Sequence, residues 1–466
     1  MYDRGVPLIG GIAALAGKRV AIFGAGTEGR AFARFAGPAC AELFIIDDAP
    51  TPAPAQPTDE FEVLDASSLA DLELDFVVRS PGVSRYDARF VALRGRGVIV
   101  TSATALWLED FQDREVVAVT GSKGKTTTAT LTAAALESYG LDVVIAGNIG
   151  RPLTELYEDD AHDAFVVELS SFQTADVTVS PTVGVLTLLA PDHLDWHRSI
   201  ERYYEDKLQL FAGRDDLPVA VNACCDRAVA RTSHVRGRRL YGCAGDVTLT
   251  EGRVLVGDQG PLDLEGFQLL GEHNLVNACG AVTAARLLTG EPPDLARLAA
   301  ALVGVPVGRS RLEPIAVVDS VTYVDDALAS NPEGTVAALQ AFAGRPLAVI
   351  VGGQDRGVDF GPLARALVAA RPVPVVICID PAGASIASAL RSEGGAVEAL
   401  TAPSLEEAVK LASGQAAQMA TDATGAVVLF SPAAPTPSSE GSYLDRSRRL
   451  RETVAALASD GGEGAR

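Results

Sequence analysis

The chain has 466 residues, 48% hydrophobic and 21% charged, the proportions of a folded protein of about two to four domains, not of a disordered one. A formal net charge of −21 sets up a field that repels polyanions, which argues against a nucleic-acid partner and leaves any phosphate-bearing ligand to local donors. Apolar runs end after about eight residues, short of the ~20 that span a bilayer, and the opening MYDRGVPLIGG has no secretory pattern, so a cytoplasmic chain without membrane insertion is expected.

The first block runs through residue 101. RVAIFGAGTEGRAFARFAG reads as strand, glycine turn and helix, AELFIIDD as the next strand, and FVVRSPGVS and GVIVTS as two more. Gly24, Gly26 and Gly29 spell GxGxxG, which with Asp47 would suit a dinucleotide turn, although the motif by itself does not assign a ligand.

The second block, residues 102–306, opens on EVVAVTGSKGKT. The full phosphate-loop pattern requires glycine where Val119 stands, so the match is the shorter one of Gly121, Gly124, Lys125 and Thr126. Its setting between a buried strand and a helix aims backbone N–H groups at one point, where Lys125 would meet phosphate and the Thr126 hydroxyl magnesium. A glycine turn with an incidental lysine is the plainer alternative. Of 39 basic residues only five are lysine, and Lys123, Lys125 and Lys207 are three of them. A composition that favours arginine leaves lysine where a compact ammonium, or an amine able to lose its proton, is required. Glu168 closes the strand AFVVE, and PDHLDWH packs Asp192, His193, Asp195 and His197 into six residues. Zinc would need a further soft ligand at suitable spacing, and magnesium prefers oxygen donors. A glycine-rich antiparallel insertion is expected across residues 238–270, followed by the helix GEHNLVNACGAVTAARLL.

The third block, residues 307–466, contains VTYVDD, LAVIVGG, VPVVICID and AVVLFSP as strands with helices between them. RSRRLR, residues 446–451, reads as a solvated helix face, and DGGEGAR as a disordered tail. The six cysteines, Cys40, Cys224, Cys225, Cys243, Cys279 and Cys378, are scattered without a CxxC pair and read as small core residues, not as a disulfide or zinc framework.

In this order TGSKGKTT, GNIG, VELSSFQ, DHLDWH with YYEDKLQL, GEHNLVNA, GRSRLE, VDD with SNP, VGGQDRGVDF and LFSPAAPT resemble the Mur ligase family of peptidoglycan precursor synthesis over nearly the whole chain. The resemblance implies an α/β fold of three domains. These are a Rossmann-like UDP-sugar-binding domain (1–101), a central P-loop ATPase-type parallel sheet with a small β insertion (102–306) and a Rossmann-like amino-acid-binding domain (307–466). It further implies a monomeric ATP-dependent ligase acting through an acyl phosphate on UDP-N-acetylmuramoyl-L-alanine, and releasing ADP and phosphate.

By the same resemblance Lys125, His193 and Lys207 are catalytic. Gly121, Ser122, Lys123, Gly124, Lys125, Thr126, Thr127, Asn277, Arg311 and Asp326 bind ATP. Thr126, Glu168, His193 and Lys207 hold two magnesium ions, Lys207 as a carbamate. Gly26, Thr27, Asp47, Asp48, Ser80, Gly82, Asn148, Ser170 and Gln173 bind the UDP-sugar, and Ser330, Arg356, Thr436 and Tyr443 the glutamate. Helix caps and loop anchors are the plainer alternatives for Asn148, Ser170, Gln173, Asn277, Arg311 and Asp326.

Two positions depart from the ligases that add D-glutamate: Leu328 stands in DDALASNP, and Arg356 in GGQDRGVDF, where those enzymes carry lysine. With TALWLED, FQTADV and DHLDWH, these changes resemble the variant subfamily that adds L-glutamate. D-glutamate is the alternative. A folylpolyglutamate-type ligase shares the central and C-terminal motifs but does not need the first block.

Overall fold

The computed structural model describes residues 8–48, 61–214, 216–421 and 425–461; of the tail expected to be disordered, Asp460 and Gly461 close the last helix, and residues 462–466 lie outside the described residues. Three α/β sheets are present, as the alternation of apolar strands and helices predicts. The first holds β1 (Arg19–Phe23), β2 (Glu42–Asp47), β3 (Val63–Asp65), β4 (Phe76–Arg79) and β5 (Ile99–Ser102), all parallel, in the order β3-β2-β1-β4-β5. The order reverses at β1, which opens a crevice at the carboxyl end of that strand, where the glycine turn lies.

The second sheet holds β6 (Glu115–Thr120), β7 (Val143–Gly147), β8 (Ala164–Glu168), β9 (Val183–Leu186), β10 (Val219–Asn222), β11 (Arg238–Gly242), β12 (Val247–Thr250) and β13 (Arg253–Val256). Its order is β13-β12-β11-β10-β9-β6-β8-β7. The expected antiparallel insertion is only partly so: β11 and β12 extend the sheet in parallel, and the β12–β13 hairpin alone runs antiparallel. Strands such as EVVAVT and AFVVE are apolar almost throughout because helices cover both faces of a parallel sheet.

The third sheet holds β14 (Glu313–Val318), β15 (Val321–Asp325), β16 (Leu347–Gly352), β17 (Val375–Ile379), β18 (Glu398–Ala402) and β19 (Ala426–Phe430), in the order β14-β15-β19-β16-β17-β18. Only β14 is antiparallel to its neighbour in it.

The chain folds as two compact units, Met1–Gly266 with Leu275–Val305, and Phe267–Asn274 with Pro306–Arg466. The first unit contains two sheets, and the helix Ala103–Asp110 serves both cores. Ala103 and Leu106 join the core of the first sheet, while Trp107 and Leu108 join that of the second. Ser102 caps this helix, and Trp107 stacks on Phe111 with ring centroids 4.1 Å apart. The buried carboxylate of Glu109 accepts hydrogen bonds from the backbone N–H groups of Ile9 (3.0 Å), Gly10 (2.8 Å) and Gly11 (2.8 Å), and from the Thr178 hydroxyl (2.5 Å).

Two sequence expectations are corrected. Cys224 and Cys243 form a disulfide, with Cα atoms 5.0 Å apart. Asn222 ends β10 and Gly242 ends the adjacent β11, so neighbouring strand ends bring together cysteines that are distant in sequence. RSRRLR is also no solvated face. It lies on the helix Tyr443–Gly461, where Arg446 is fully buried, donates to the Gly352 carbonyl (3.1 Å) and lies 5.0 Å over the Phe430 ring. Ser447 is equally buried and donates to Asp325 (2.6 Å), and Arg449 pairs with Glu406. A guanidinium on a helix can be buried when a carbonyl, a carboxylate and a ring meet it: the third sheet supplies Gly352 and Phe430, and Glu440 lies 3.4 Å away. Among the described residues no helix is long and apolar enough to cross a membrane.

Candidate active site

The geometry starts at the carboxyl end of β6. Gly121 and Gly124 both have positive φ, 150° and 85°. A Cβ at Gly121 would lie 1.8 Å from Thr187 Oγ1, and one at Gly124 would lie 2.7 Å from Asn277 Oδ1. Only glycine allows the chain to make this tight turn and open directly into the helix Lys125–Glu137, whose first N–H groups lack helical partners. Ser122 shapes the loop from inside. Its hydroxyl donates to the Ala190 carbonyl (2.7 Å), accepts from the Ala190 N–H (2.9 Å) and lies 2.6 Å from Tyr203 OH, while its own N–H bonds Leu188 O. Lys123 is tied down through its carbonyl, which accepts from the Thr187 hydroxyl (2.6 Å). Thr127 is half-buried in the first turn of the helix.

The register of β6 with β8 sets Val119 beside Glu168, so the Glu168 carboxylate emerges next to the loop. Glu168, 1% exposed, accepts from the Thr126 hydroxyl (2.7 Å) on one oxygen and from Asn148 Nδ2 (2.9 Å) on the other. Residues from three separate motifs thus converge. Lys207 comes from the helix Ile200–Leu208, is 2% exposed, and donates to the Gly121 carbonyl (2.9 Å). Burial first, and then the charge of Lys125, hold its amine well below the usual lysine range, against the opposing pull of Asp192 and Glu168. Lys125 Nζ lies 3.4 Å from the Ser122 carbonyl.

His193 has φ 50°, its side chain is 43% exposed, and its ring lies 4.7 Å from that of Phe172. Loss of solvent lowers its imidazole pKa, Asp192 opposes this, and the charges of Lys207 and Lys125 add to the lowering. Asn277, buried on the helix Glu272–Thr289, faces Gly124. Loop, lysines, carboxylate and histidine therefore share one electrostatic neighbourhood.

Around the first sheet, Asp47 accepts from the Ala25 N–H (2.7 Å) and the Ser80 hydroxyl donates to the Gly24 carbonyl (3.2 Å). Gly26 and Thr27 start the helix Thr27–Ala36 at the same crevice, while Gly82 is exposed in the loop after β4. Asp48 is paired with Arg89, which also binds Asp87. Ser170 and Gln173 cap each other at the helix Ser171–Thr174, the plainer of their two sequence readings.

The sequence reading missed a buried polar network in this unit. Arg79, buried at the end of β4, pairs with Asp176 (2.5 Å), donates to the Phe172 carbonyl (2.8 Å) and lies 5.1 Å over the Trp196 ring. His197, counted above among possible ligands, is fully buried between Asp206 (2.6 Å) and the Ser171 hydroxyl (2.9 Å). Asp206 also accepts from Tyr86 OH (2.8 Å), so the residue before Lys207 is anchored from both sheets of the unit. An arginine closing the otherwise apolar FVVR was the available signal.

In the second unit Asp325 ends β15 and Asp326 follows it. Asp326 accepts from the Ser431 hydroxyl (2.7 Å) and the Leu312 N–H (3.3 Å), and burial pushes its carboxyl pKa up to about 7, with the Arg311 charge opposing. Asp325 accepts from Ser310 (2.9 Å), Ser447 (2.6 Å) and Arg451 (3.2 Å). Ser330 and Arg356 are exposed, and Thr436 and Tyr443 half-buried. Asp355 fixes the turn bearing Arg356 by accepting from the Gly357 N–H (2.8 Å) and Ser385 Oγ (2.6 Å).

Residues 119–285 match the Mur ligase middle domain, and residues 310–434 match the Mur ligase glutamate ligase domain. A UDP-N-acetylmuramoyl-L-alanine–L-glutamate ligase of a Micromonospora species is 38% identical over 458 residues, which cover 94% of this chain and 97% of the relative. The protein of the same name from Salinispora tropica is 38% identical over 459 residues, covering 94% and 98%. Among solved structures, the MurF ligase of Thermotoga maritima in complex with ADP shares the fold, with a TM-score of 0.58 at 19% identity over 97% of this chain and 98% of that one.

Proposed function

The chain belongs to the Mur ligase family, and from that membership we propose that it joins L-glutamate to UDP-N-acetylmuramoyl-L-alanine at the expense of ATP. The observation that carries this reading is the meeting of Thr126, Glu168, Lys125 and Lys207 around the glycine loop. A substrate carboxylate and the γ-phosphate of ATP repel each other, so their reaction requires concentrated positive charge in a site shielded from water. Lys125 and the N–H groups of the loop supply it. A carboxylate oxygen attacks the γ-phosphorus and ADP leaves. The glutamate amine then attacks the acyl carbon of the acyl phosphate, inorganic phosphate departs, and the nitrogen sheds its extra proton to give the amide.

The residues fit magnesium. Thr126 and Glu168 bring oxygen donors within 2.7 Å of each other at the mouth of the loop. His193 and Lys207 would hold a second ion, and the ions would supply charge neutralisation at the phosphate oxygens. Burial favours the neutral Lys207 amine, the form that adds CO2 to give a carbamate and a proton, which turns a buried cation into an acidic ligand. Gly121 to Thr127, Asn277, Arg311 and Asp326 are the proposed ATP contacts, Ser122 and Lys123 acting through the shape of the loop. Gly26, Thr27, Asp47, Asp48, Ser80, Gly82 and Asn148 serve the UDP-sugar, with Ser170 and Gln173 holding the nearby loop. Ser330, Arg356, Thr436 and Tyr443 serve glutamate. The corresponding domains are residues 1–101, 102–306 and 307–466, in a cytoplasmic monomer.

Leu328 and Arg356 favour L-glutamate over D-glutamate, because an apolar side chain and a guanidinium stand where two lysines otherwise serve the D-amino acid. Phosphate release with UDP-N-acetylmuramoyl-L-alanine is expected with L-glutamate, at least about tenfold above D-glutamate in kcat/KM, and near background with no amino acid. Equal or faster turnover of D-glutamate would overturn the stereochemical choice; no phosphate release in any arm would overturn the ligase reading.

A further inference from the structure

Cys224 and Cys243 stand at the carboxyl ends of β10 and β11, both exposed, and enclose a sequence separation of 19. The other four cysteines differ. Cys225, Cys279 and Cys378 are buried and Cys40 is half-buried. Burial pushes the Cys279 thiol up to about 12 and the Cys378 thiol up to about 11, and raises that of Cys40, so these are poor nucleophiles.

The pair has a close neighbour in the nucleotide site. Gly242, at φ 86°, lies against both: a Cβ there would be 3.1 Å from Cys224 Sγ and 3.1 Å from Val276 Cγ1. The next residue is Asn277, whose Oδ1 faces Gly124 of the phosphate loop. The strand ends that the disulfide ties together therefore border Val276 and, beside it in the chain, Asn277.

We propose that Cys224 and Cys243 form a thiol–disulfide modification site, oxidised by a low-molecular-mass disulfide, whose closed form favours nucleotide binding at the glycine loop. The coupling rests on the ATP-binding reading above. In the forward reaction the Cys243 thiolate attacks one sulfur of the small disulfide and expels one small thiolate, giving a mixed disulfide. The Cys224 thiolate then attacks Cys243 Sγ and expels the second. Two cysteine thiols lose two electrons and two protons, and one small disulfide becomes two small thiols.

The test equilibrates the full chain with glutathione disulfide or with dithiothreitol, alkylates it with N-ethylmaleimide, and measures mass, peptide linkage and the affinity of a non-hydrolysable ATP analogue. After oxidation, the Cys224 and Cys243 peptides should be linked and carry two fewer labels, and the analogue should bind at least about fivefold more tightly than to the reduced chain. Cys243→Ser should bind like the reduced chain in both conditions. Full alkylation of both cysteines after glutathione disulfide overturns the site. Equal affinity in the two forms, or a Cys243→Ser chain that still responds to the oxidant, overturns the coupling. No binding in either form overturns the ATP reading and the coupling with it, while a linked peptide pair leaves the thiol chemistry standing.

Discussion

Lys207 and Asp326 are two buried groups whose pKa values burial moves in opposite directions, each towards its neutral form. Lys207→Ala removes a buried amine and the proposed carbamate together, so kcat should fall by about 100-fold or more. Short carboxylates such as formate or acetate added to this variant should restore part of the rate. Full activity without them would rule out an acidic role for the side chain. Asp326 makes a pH argument. Its folded pKa, near 7, exceeds the ordinary value of 3.8, so the folded state holds the proton more tightly. The contribution is complete below about pH 4 and is lost as pH rises through 7, a change of up to about 4 kcal/mol. Thermal melts of the wild type should lose stability between about pH 4 and about pH 7, and Asp326→Asn should flatten that slope. The meeting of Thr126 with Glu168 was readable from sequence because a hydroxyl after a glycine turn and an acid at a strand end each carry a geometric meaning. The capping partnership of Ser170 with Gln173 was legible only as an alternative, since one motif serves both readings.

Among the elements, the helix Tyr443–Gly461 shows where periodicity runs out. Five charged or polar residues in six look solvated, yet Arg446 and Ser447 face the third sheet. Arg446→Ala should cost about 3 kcal/mol or more, because it takes the donor from the buried Gly352 carbonyl and empties the space over the Phe430 ring, Glu440 keeping Arg449, and urea unfolding would report it as a lower midpoint. Arg448→Ala, on the exposed side of the same helix, should change the midpoint little. The disulfide was hidden for a related reason. Its existence depends on which strands become neighbours, and no local pattern states that β11 lies against β10. The β6 strand, glycine loop and helix were legible because each signal is local and all point the same way.

For the molecule as a whole, the order of the three sheets followed from the motifs, but the connection between the first two did not. Arg79 joins them: it leaves β4 of the first sheet and is neutralised by Asp176 of the second sheet's surroundings. Burial pulls its guanidinium below the ordinary arginine range and Asp176 opposes that shift. Arg79→Met leaves the buried Asp176 carboxylate with only Arg85, 3.5 Å away, and should destabilise the first unit by about 3 kcal/mol, whereas the double variant Arg79→Met with Asp176→Leu should recover part of the loss. Denaturant titrations of the single and double variants would show whether the pair acts as this coupling demands. A sequence shows an arginine closing an apolar strand but not the acid, more than ninety positions away, that it will meet.

Glu109 has a practical corollary for anyone trimming the gene. Starting translation at Lys18, immediately before the first strand, would look harmless on a strand diagram. It would nevertheless delete the three amides that clasp Glu109, leaving a carboxylate on the helix that serves two cores with a single hydroxyl for company. Affinity handles therefore belong ahead of Leu8, with the leading segment kept.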